Sequence, residues 1–360
     1  MNRFLQIIFI TFLTFGLMAC SPSEGDVENN TVDNSSDIEE QDDNTNESIE
    51  NEDQDDDIGE RDNDRDNKNN EREQGQKASD QTTSIENGKG GYLWRVENDD
   101  TTVYLQGTIH IGTKDFYPLN HLIEEAYESA DVVVPEIDIT EVDIMSSLGA
   151  TFVHGIYSDG TTVKDHISPE VYEKLTFVLE KYDLPIDLVG FFKPWMLEAV
   201  VTQMVALELD FFHGIDMYFL ERAKEDGKEI IELESVNNQY SILAGTSHEF
   251  QERQLKATLD SLEDFESSML EVFALFLEGD PDQLHDSLFP DESEMDIEYQ
   301  AYMKALNDDR NIKMAEKIIE FLEDGSGKTY FVIVGAAHLI KDPHIRMFLE
   351  DAGYAVEHIY

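Results

Sequence analysis

Cysteine is nearly absent: the 360 residues contain one, Cys20. No intrachain disulfide can form, and no thiol is available as a nucleophile within the body of the chain. Positive charge is also scarce, with 25 Lys and Arg against 79 Asp and Glu and a formal net charge of −54. Nucleic-acid binding, which calls for a basic face, is therefore excluded as an expectation. Gly-x-Ser-x-Gly and His-Glu-x-x-His do not occur, which removes the serine-hydrolase elbow and the ordinary zincin helix. A phosphate loop is missing too. Gly325-Ser326-Gly327-Lys328-Thr329 has Leu322 where the Walker pattern needs Gly, and a strand-like run follows it instead of a helix. A tight turn between helix and strand is the better reading of that segment.

The chain opens with Met1-Asn2-Arg3 and an apolar run from Phe4 to Met18, followed by Leu17-Met18-Ala19-Cys20. Residues 1–20 read as a secretion signal, too short for an ordinary membrane-spanning helix. The bland alternative is a cleaved signal with an incidental cysteine. Small Ala19 just before the sole cysteine favours lipidation at Cys20. The expected location is extracytoplasmic, lipid-anchored to the bacterial cell membrane through the N-terminus.

Residues 21–91 are a different material, rich in Asp, Glu, Asn, Gln and Ser. Between Ser21 and Gly90 there are 24 acidic and 6 basic residues and few apolar ones. Such a segment cannot bury enough apolar surface to offset its ordering entropy, so it is expected to be a disordered acidic tether. Asp53-x-Asp55-x-Asp57 and Asp62-x-Asp64-x-Asp66 imitate calcium loops, but Ile58 and Asn67 stand where the sharp turn needs Gly.

Residues 92–360 are long enough for one substantial domain. Tyr92–Glu97 and Thr102–Gly107 read as a hairpin around Asn98-Asp99-Asp100. Leu119–Ala130 has helical spacing, and Val132-Val133-Val134-Pro135-Glu136 reads as a buried strand ending in a carboxylate. A helical middle follows, with Pro near the starts of helices at 169–182 and 194–209, and a helix stop at Gly227. Strands are expected at 229–234, 328–335 and 355–359, and further helices at 250–277, 294–322 and 343–352. The expected fold class is α/β (α+β), with a central mixed β-sheet built from the N- and C-terminal parts and the helical middle packed over it.

Gly-x-x-His occurs twice after strand-like runs, as Gly107-Thr108-Ile109-His110 and Gly335-Ala336-Ala337-His338. Neutral imidazole is the commonest metal ligand among side chains. Glu136 and Glu234 also end strand-like runs, at the edge where open α/β sheets bind ligands. Asp216 stands in the first turn of a helix, where charge complementarity to the helix N-terminus would be reason enough for it. Any one of these alone reads as an ordinary hydrogen-bonded side chain. Together they are the imidazole and carboxylate mixture that divalent metals select. His213 borders Gly214 and Asp216 and is a weaker candidate to line the pocket.

Gly107-Thr-Ile-His110, Pro135-Glu136, Gly214-Ile-Asp216, Leu233-Glu234-Ser235, Arg310-Asn311 and Gly335-Ala-Ala-His338-Leu339 together resemble the TraB/GumN family, related to the Tiki metalloproteases. The resemblance covers about residues 92–360. It implies that His110 and His338 bind a divalent metal, that Glu136 and Glu234 match acidic positions, and that Arg310 matches a basic one. The expected function is a metal-dependent hydrolase, most simply a peptidase. Glu136 would be a ligand or, like Glu234, a proton acceptor, and Arg310 would stabilise negative charge or hold a substrate carboxylate. Asp216, His213 and Asn311 would bind substrate or support the ligands. Manganese, cobalt and zinc all suit the donor set. The expected partners are a peptide or small-molecule substrate and the membrane. The alternatives are a hydrolase of non-peptide esters and a non-catalytic protein that captures an extracellular peptide.

Overall fold

The computed structural model describes residues 89–140, 144–289 and 295–360. The signal at 1–20, the lipidation residue Cys20, both calcium-loop imitations and the tether as far as residue 88 lie outside the described residues. The tether's expected last two residues, Gly90 and Gly91, are buried. The Gly91 amide donates to the Phe276 carbonyl at 3.4 Å, and a Cβ on Gly90 would stand 2.6 Å from Leu277 Cδ2. Packing of ordered chain therefore starts slightly before the first strand.

Six strands form one sheet: β1 (Tyr92–Asn98), β2 (Thr101–Thr108), β3 (Val132–Pro135), β4 (Glu229–Ile230), β5 (Thr329–Gly335) and β6 (Val356–His358). Their order across the sheet is β4-β3-β5-β2-β1-β6. β1 pairs antiparallel with β2 and β6, while β2–β5, β5–β3 and β3–β4 are parallel. This is the mixed sheet expected from the sequence, with one addition: the helical middle supplies the edge strand β4. The β1–β2 turn places Asp99 at φ 51°, a left-handed conformation that Asp tolerates better than most residues. β3 and β5 are almost wholly buried, as parallel strands covered on both faces must be.

The expected strand at 229–234 forms a formal ladder only at Glu229–Ile230, but its course continues. Amides of Ile231, Leu233 and Glu234 donate to the carbonyls of Val133, Pro135 and Glu136. The ends of β3 and of this segment thus run side by side, which sets Glu136 and Glu234 next to each other.

The helical readings hold, with breaks. Asn120 caps helix His121–Ser129 through its side chain, which accepts from the Leu122 amide at 3.0 Å. The span at 250–277 divides into His248–Ser261 and Phe265–Glu278 at a short 3₁₀ turn. The span at 294–322 divides into Ile297–Met303 and Asp309–Glu323 around a π-helical turn, Lys304–Asp308. One core spans the sheet and the helices packed on it. A second, lesser core joins Val163, Leu175, Leu179, Leu197, Val201 and Leu255 within the helical middle. Each fully buried Leu or Val contributes roughly 1.5–3 kcal/mol through removal of apolar surface from water. Gly325 and Gly327 both take positive φ immediately before β5, so the glycine-rich segment is the turn that its sequence predicts.

Candidate active site at the carboxyl edge of the sheet

Parallel neighbours bring the strand ends to one edge. Gly107 of β2 pairs with Val334 of β5, and Thr108 with Gly335, so the two Gly-x-x-His units leave the sheet side by side. Pro135 of β3 pairs with Ile333 on the other side of β5, which places Glu136 beside them. Residues 228 positions apart in sequence therefore share one neighbourhood because β5 inserts between β2 and β3.

Gly214 holds the first histidine segment against the helix that carries Asp216. A Cβ there would stand 2.2 Å from the His110 carbonyl oxygen, so only glycine permits the approach. The Ile215 amide donates to the Ile109 carbonyl at 3.0 Å across the same contact. Asp216 is buried. It accepts a hydrogen bond from the Thr108 hydroxyl at 2.7 Å on Oδ1 and lies 2.8 Å from His110 Nδ1 through Oδ2. The carboxylate holds a proton on Nδ1 and turns Nε2 inward. Helix-end charge complementarity is thus only part of what Asp216 does.

The second histidine is held in the same way by a different group. Asn311 donates Nδ2 to the Pro343 carbonyl at 2.8 Å, which turns its Oδ1 to within 2.6 Å of His338 Nδ1. His338 is fully buried, and its Nε2 lies 3.6 Å from Glu136 Oε1. Burial, reinforced by the Arg310 charge, pushes the His338 pKa down to about 3 against the pull of Glu136, so the ring is neutral at ordinary pH.

Glu136 stands between the histidines. Its Oε1 accepts the Gly335 amide at 2.7 Å, and its Oε2 accepts Arg310 Nη2 at 2.5 Å. Burial alone would raise its pKa. His338, Arg310, His110 and the Gly335 amide outweigh burial and hold it at about 2. A Cβ built on Gly335 would lie 3.4 Å from Glu136 Oε1 and 3.5 Å from His110 Nε2, so the missing side chain leaves the space around which these atoms gather.

Glu234 lies on the far side of Arg310. The guanidinium donates Nε to both Glu234 oxygens at 3.0 and 3.2 Å, Nη2 to Glu234 Oε1 as well as to Glu136, and Nη1 to the Leu306 carbonyl at 2.8 Å. Both carboxylates hold its pKa above the usual arginine value in spite of burial. Arg310, expected to meet developing negative charge or a substrate carboxylate, is instead buried and engaged with Glu136 and Glu234. It organises these two acids. His213 stays apart from the cluster: its ring packs on Phe212 and faces Asp210 at 3.9 Å, while its carbonyl accepts from Tyr117.

Three participants were not singled out in the sequence: Thr108, the Gly335 amide and Gln239. Gln239 Nε2 donates to Glu234 Oε1 at 2.8 Å and to Glu136 Oε2 at 3.3 Å. A readable signal existed for it. Gln239 lies on the buried stripe of helix Val236–Ala244 beside Tyr240 and Leu243, where an unpartnered amide would be costly.

Arg310 pairs with Glu136 and Glu234 and Asp216 pairs with His110, in one largely buried cluster of acids and imidazoles of the kind that draws a divalent cation. The donor set fits such an ion: two imidazole Nε2 atoms and one carboxylate oxygen converge, each imidazole backed at Nδ1 by an acceptor, as metal-ligating histidines are. Among the described residues, no three His, Cys, Asp or Glu side chains are yet grouped closely enough to hold an ion as placed.

YbaP of Escherichia coli (strain K12), an uncharacterized protein, is 25% identical over 251 residues, 68% of this chain and 87% of that protein. The metalloprotease TIKI1 of Danio rerio is 24% identical over 332 residues, 79% of this chain and 66% of that protein. No solved structure matches the chain. The model of the TraB/PrgY/gumN family matches residues 92–358, which include every residue of the cluster, and the chain belongs to that family.

Proposed function

We propose that the protein is a metal-dependent hydrolase that cleaves peptides outside the cytoplasm, anchored through lipid on Cys20. The observation that carries the reading is the buried pair of inward-facing imidazoles around Glu136, with Asp216 and Glu234 in the same cluster. Similarity to a metalloprotease supports peptides as the substrate class. His110 Nε2, His338 Nε2 and Glu136 Oε1 would hold the ion, and the donor set suits manganese, cobalt or zinc. When bound, the ion would supply Lewis acidity at the scissile carbonyl and make water a stronger acid.

The chain's own residues do the rest. Asp216 and Asn311 fix the two imidazoles in the tautomer that turns Nε2 inward. Glu136 Oε1 is the carboxylate oxygen facing the imidazoles, so it ligates or accepts the proton of the attacking water. Glu234 stands behind Arg310 and supports Glu136.

The test is cleavage of a peptide library by the purified protein, with and without chelator and with Mn²⁺, Co²⁺ or Zn²⁺ restored. Metal-dependent cuts that vanish in His110→Ala and His338→Ala support the reading. Turnover of esters alone would move it to an ester hydrolase. The absence of a ready three-ligand group among the described residues favours one other reading, a non-catalytic peptide binder. That reading is identified by retention of peptides without cuts.

A further inference from the structure

Glu136 Oε2 and Glu234 Oε1 are bridged twice. Arg310 Nη2 donates to both from one side, and Gln239 Nε2 donates to both from the other, at 3.3 and 2.8 Å. Two carboxylates and two nitrogen donors thus form a closed ring of hydrogen bonds. All four side chains are buried or nearly so, with Gln239 at 5% exposure and Glu136 and Arg310 at 3% each. In such surroundings two adjacent carboxylates repel strongly unless donors lie between them.

We infer that Gln239 is a positioning residue that holds Glu136 and Glu234 side by side without adding a charge between them. The choice of amide matters. A lysine at this place would also donate to both oxygens, but it would add a second positive charge beside Arg310. A leucine would remove the donor and leave Arg310 alone to separate the acids. Glutamine alone of the three braces the pair and preserves the charge. Gln239 and Arg310 together take up Glu136 Oε2, so Oε1, which accepts the Gly335 amide, is the oxygen turned toward His338 Nε2 at 3.6 Å. Where the metal reading above holds, Gln239 helps aim the carboxylate ligand and adds no positive charge to repel the cation.

Two measurements on the full-length protein test this. The first is Co²⁺ affinity, by titration of its visible absorption, with His338→Ala marking the background from the acidic tether. Gln239→Leu and Gln239→Lys should each weaken the His338-dependent affinity roughly 10–100-fold. Gln239→Lys should do so without lowering the unfolding temperature of the metal-free protein. Wild-type affinity in either variant overturns the proposal. The second measurement, in chelator, needs no metal site: the unfolding temperature in a double-mutant cycle of Gln239→Leu with Glu234→Gln. Gln239→Leu should lower the unfolding temperature by several degrees when Glu234 is charged and by little when it is not. Equal effects in both backgrounds overturn the brace. If wild-type protein shows no His338-dependent Co²⁺ binding while the cycle shows coupling, the metal reading fails and the brace stands.

Discussion

Asn311 decides which nitrogen of His338 carries the proton. With Nδ2 donated to the Pro343 carbonyl at 2.8 Å, its Oδ1 lies 2.6 Å from His338 Nδ1 and must accept from it. Asn311→Leu removes that acceptor and frees the ring to turn or change tautomer. Metal affinity measured by calorimetry should fall about 10–100-fold while the far-ultraviolet circular dichroism is unchanged. Asn311→Asp keeps an acceptor and should lose much less.

Gly335→Ala is a test of the space at the centre of the cluster. The added methyl would meet Glu136 Oε1 at 3.4 Å and His110 Nε2 at 3.5 Å, contacts that the fold tolerates. It would nevertheless stand between the groups proposed as ligands. The expected outcome is a folded protein with an unfolding temperature near wild type and at least a tenfold loss of Co²⁺ affinity.

Glu198 provides a pH test remote from the cluster. It is buried on the helix Pro194–Glu208 and accepts from the Thr258 hydroxyl at 2.7 Å. Burial raises its pKa to about 7, against a smaller downward pull from Thr258. The folded state keeps this proton through a range where the unfolded chain has released it. Stability is therefore highest below the unfolded value near 4.5, falls as pH rises toward about 7, and then levels off. The loss attributable to this group is on the order of 3 kcal/mol. Glu198→Gln should remove that slope and be the more stable protein at pH 8, as read from urea midpoints of both proteins between pH 5 and pH 8.

Cys20→Ser is expected to release the protein from the membrane fraction or leave its precursor unprocessed, because the cysteine stands directly after Leu17-Met18-Ala19. Fractionation and the mass of the mature N-terminus decide it. Normal processing with unchanged membrane retention would falsify lipid attachment.

Much of the fold was legible because its signals are local. The run Tyr330-Phe331-Val332-Ile333-Val334 reads as a buried strand wherever it stands, and the structure buries it between β2 and β3. Proline starts and the glycine stop at 227 marked helix ends that the structure reproduces. The π-helical turn Lys304–Asp308 was not legible. Nothing in Lys-Ala-Leu-Asn-Asp distinguishes it from an α-helical turn, and a π turn is set by what the following residues must reach. After it, Arg310 and Asn311 fall on the same buried face as Met314, Ala315, Ile318 and Leu322.

The amino-acid sequence by itself pointed to residues that the fold gathers into one cluster: two Gly-x-x-His units, Glu136 and Glu234 at strand ends, Asp216 beside Gly214, and, through the family resemblance, Arg310-Asn311. Residue type and strand-end position are local properties. Tertiary structure alone decided what each touches. β5 enters between β2 and β3 and so gathers the residues at one edge. Asp216 backs one histidine and Asn311 the other, while Arg310 turns to the two acids. Gln239, unremarkable in the sequence, closes the ring between those acids. The role of a buried polar side chain is fixed by the partner that satisfies it, and these partners are brought together only by the folded sheet and its helices.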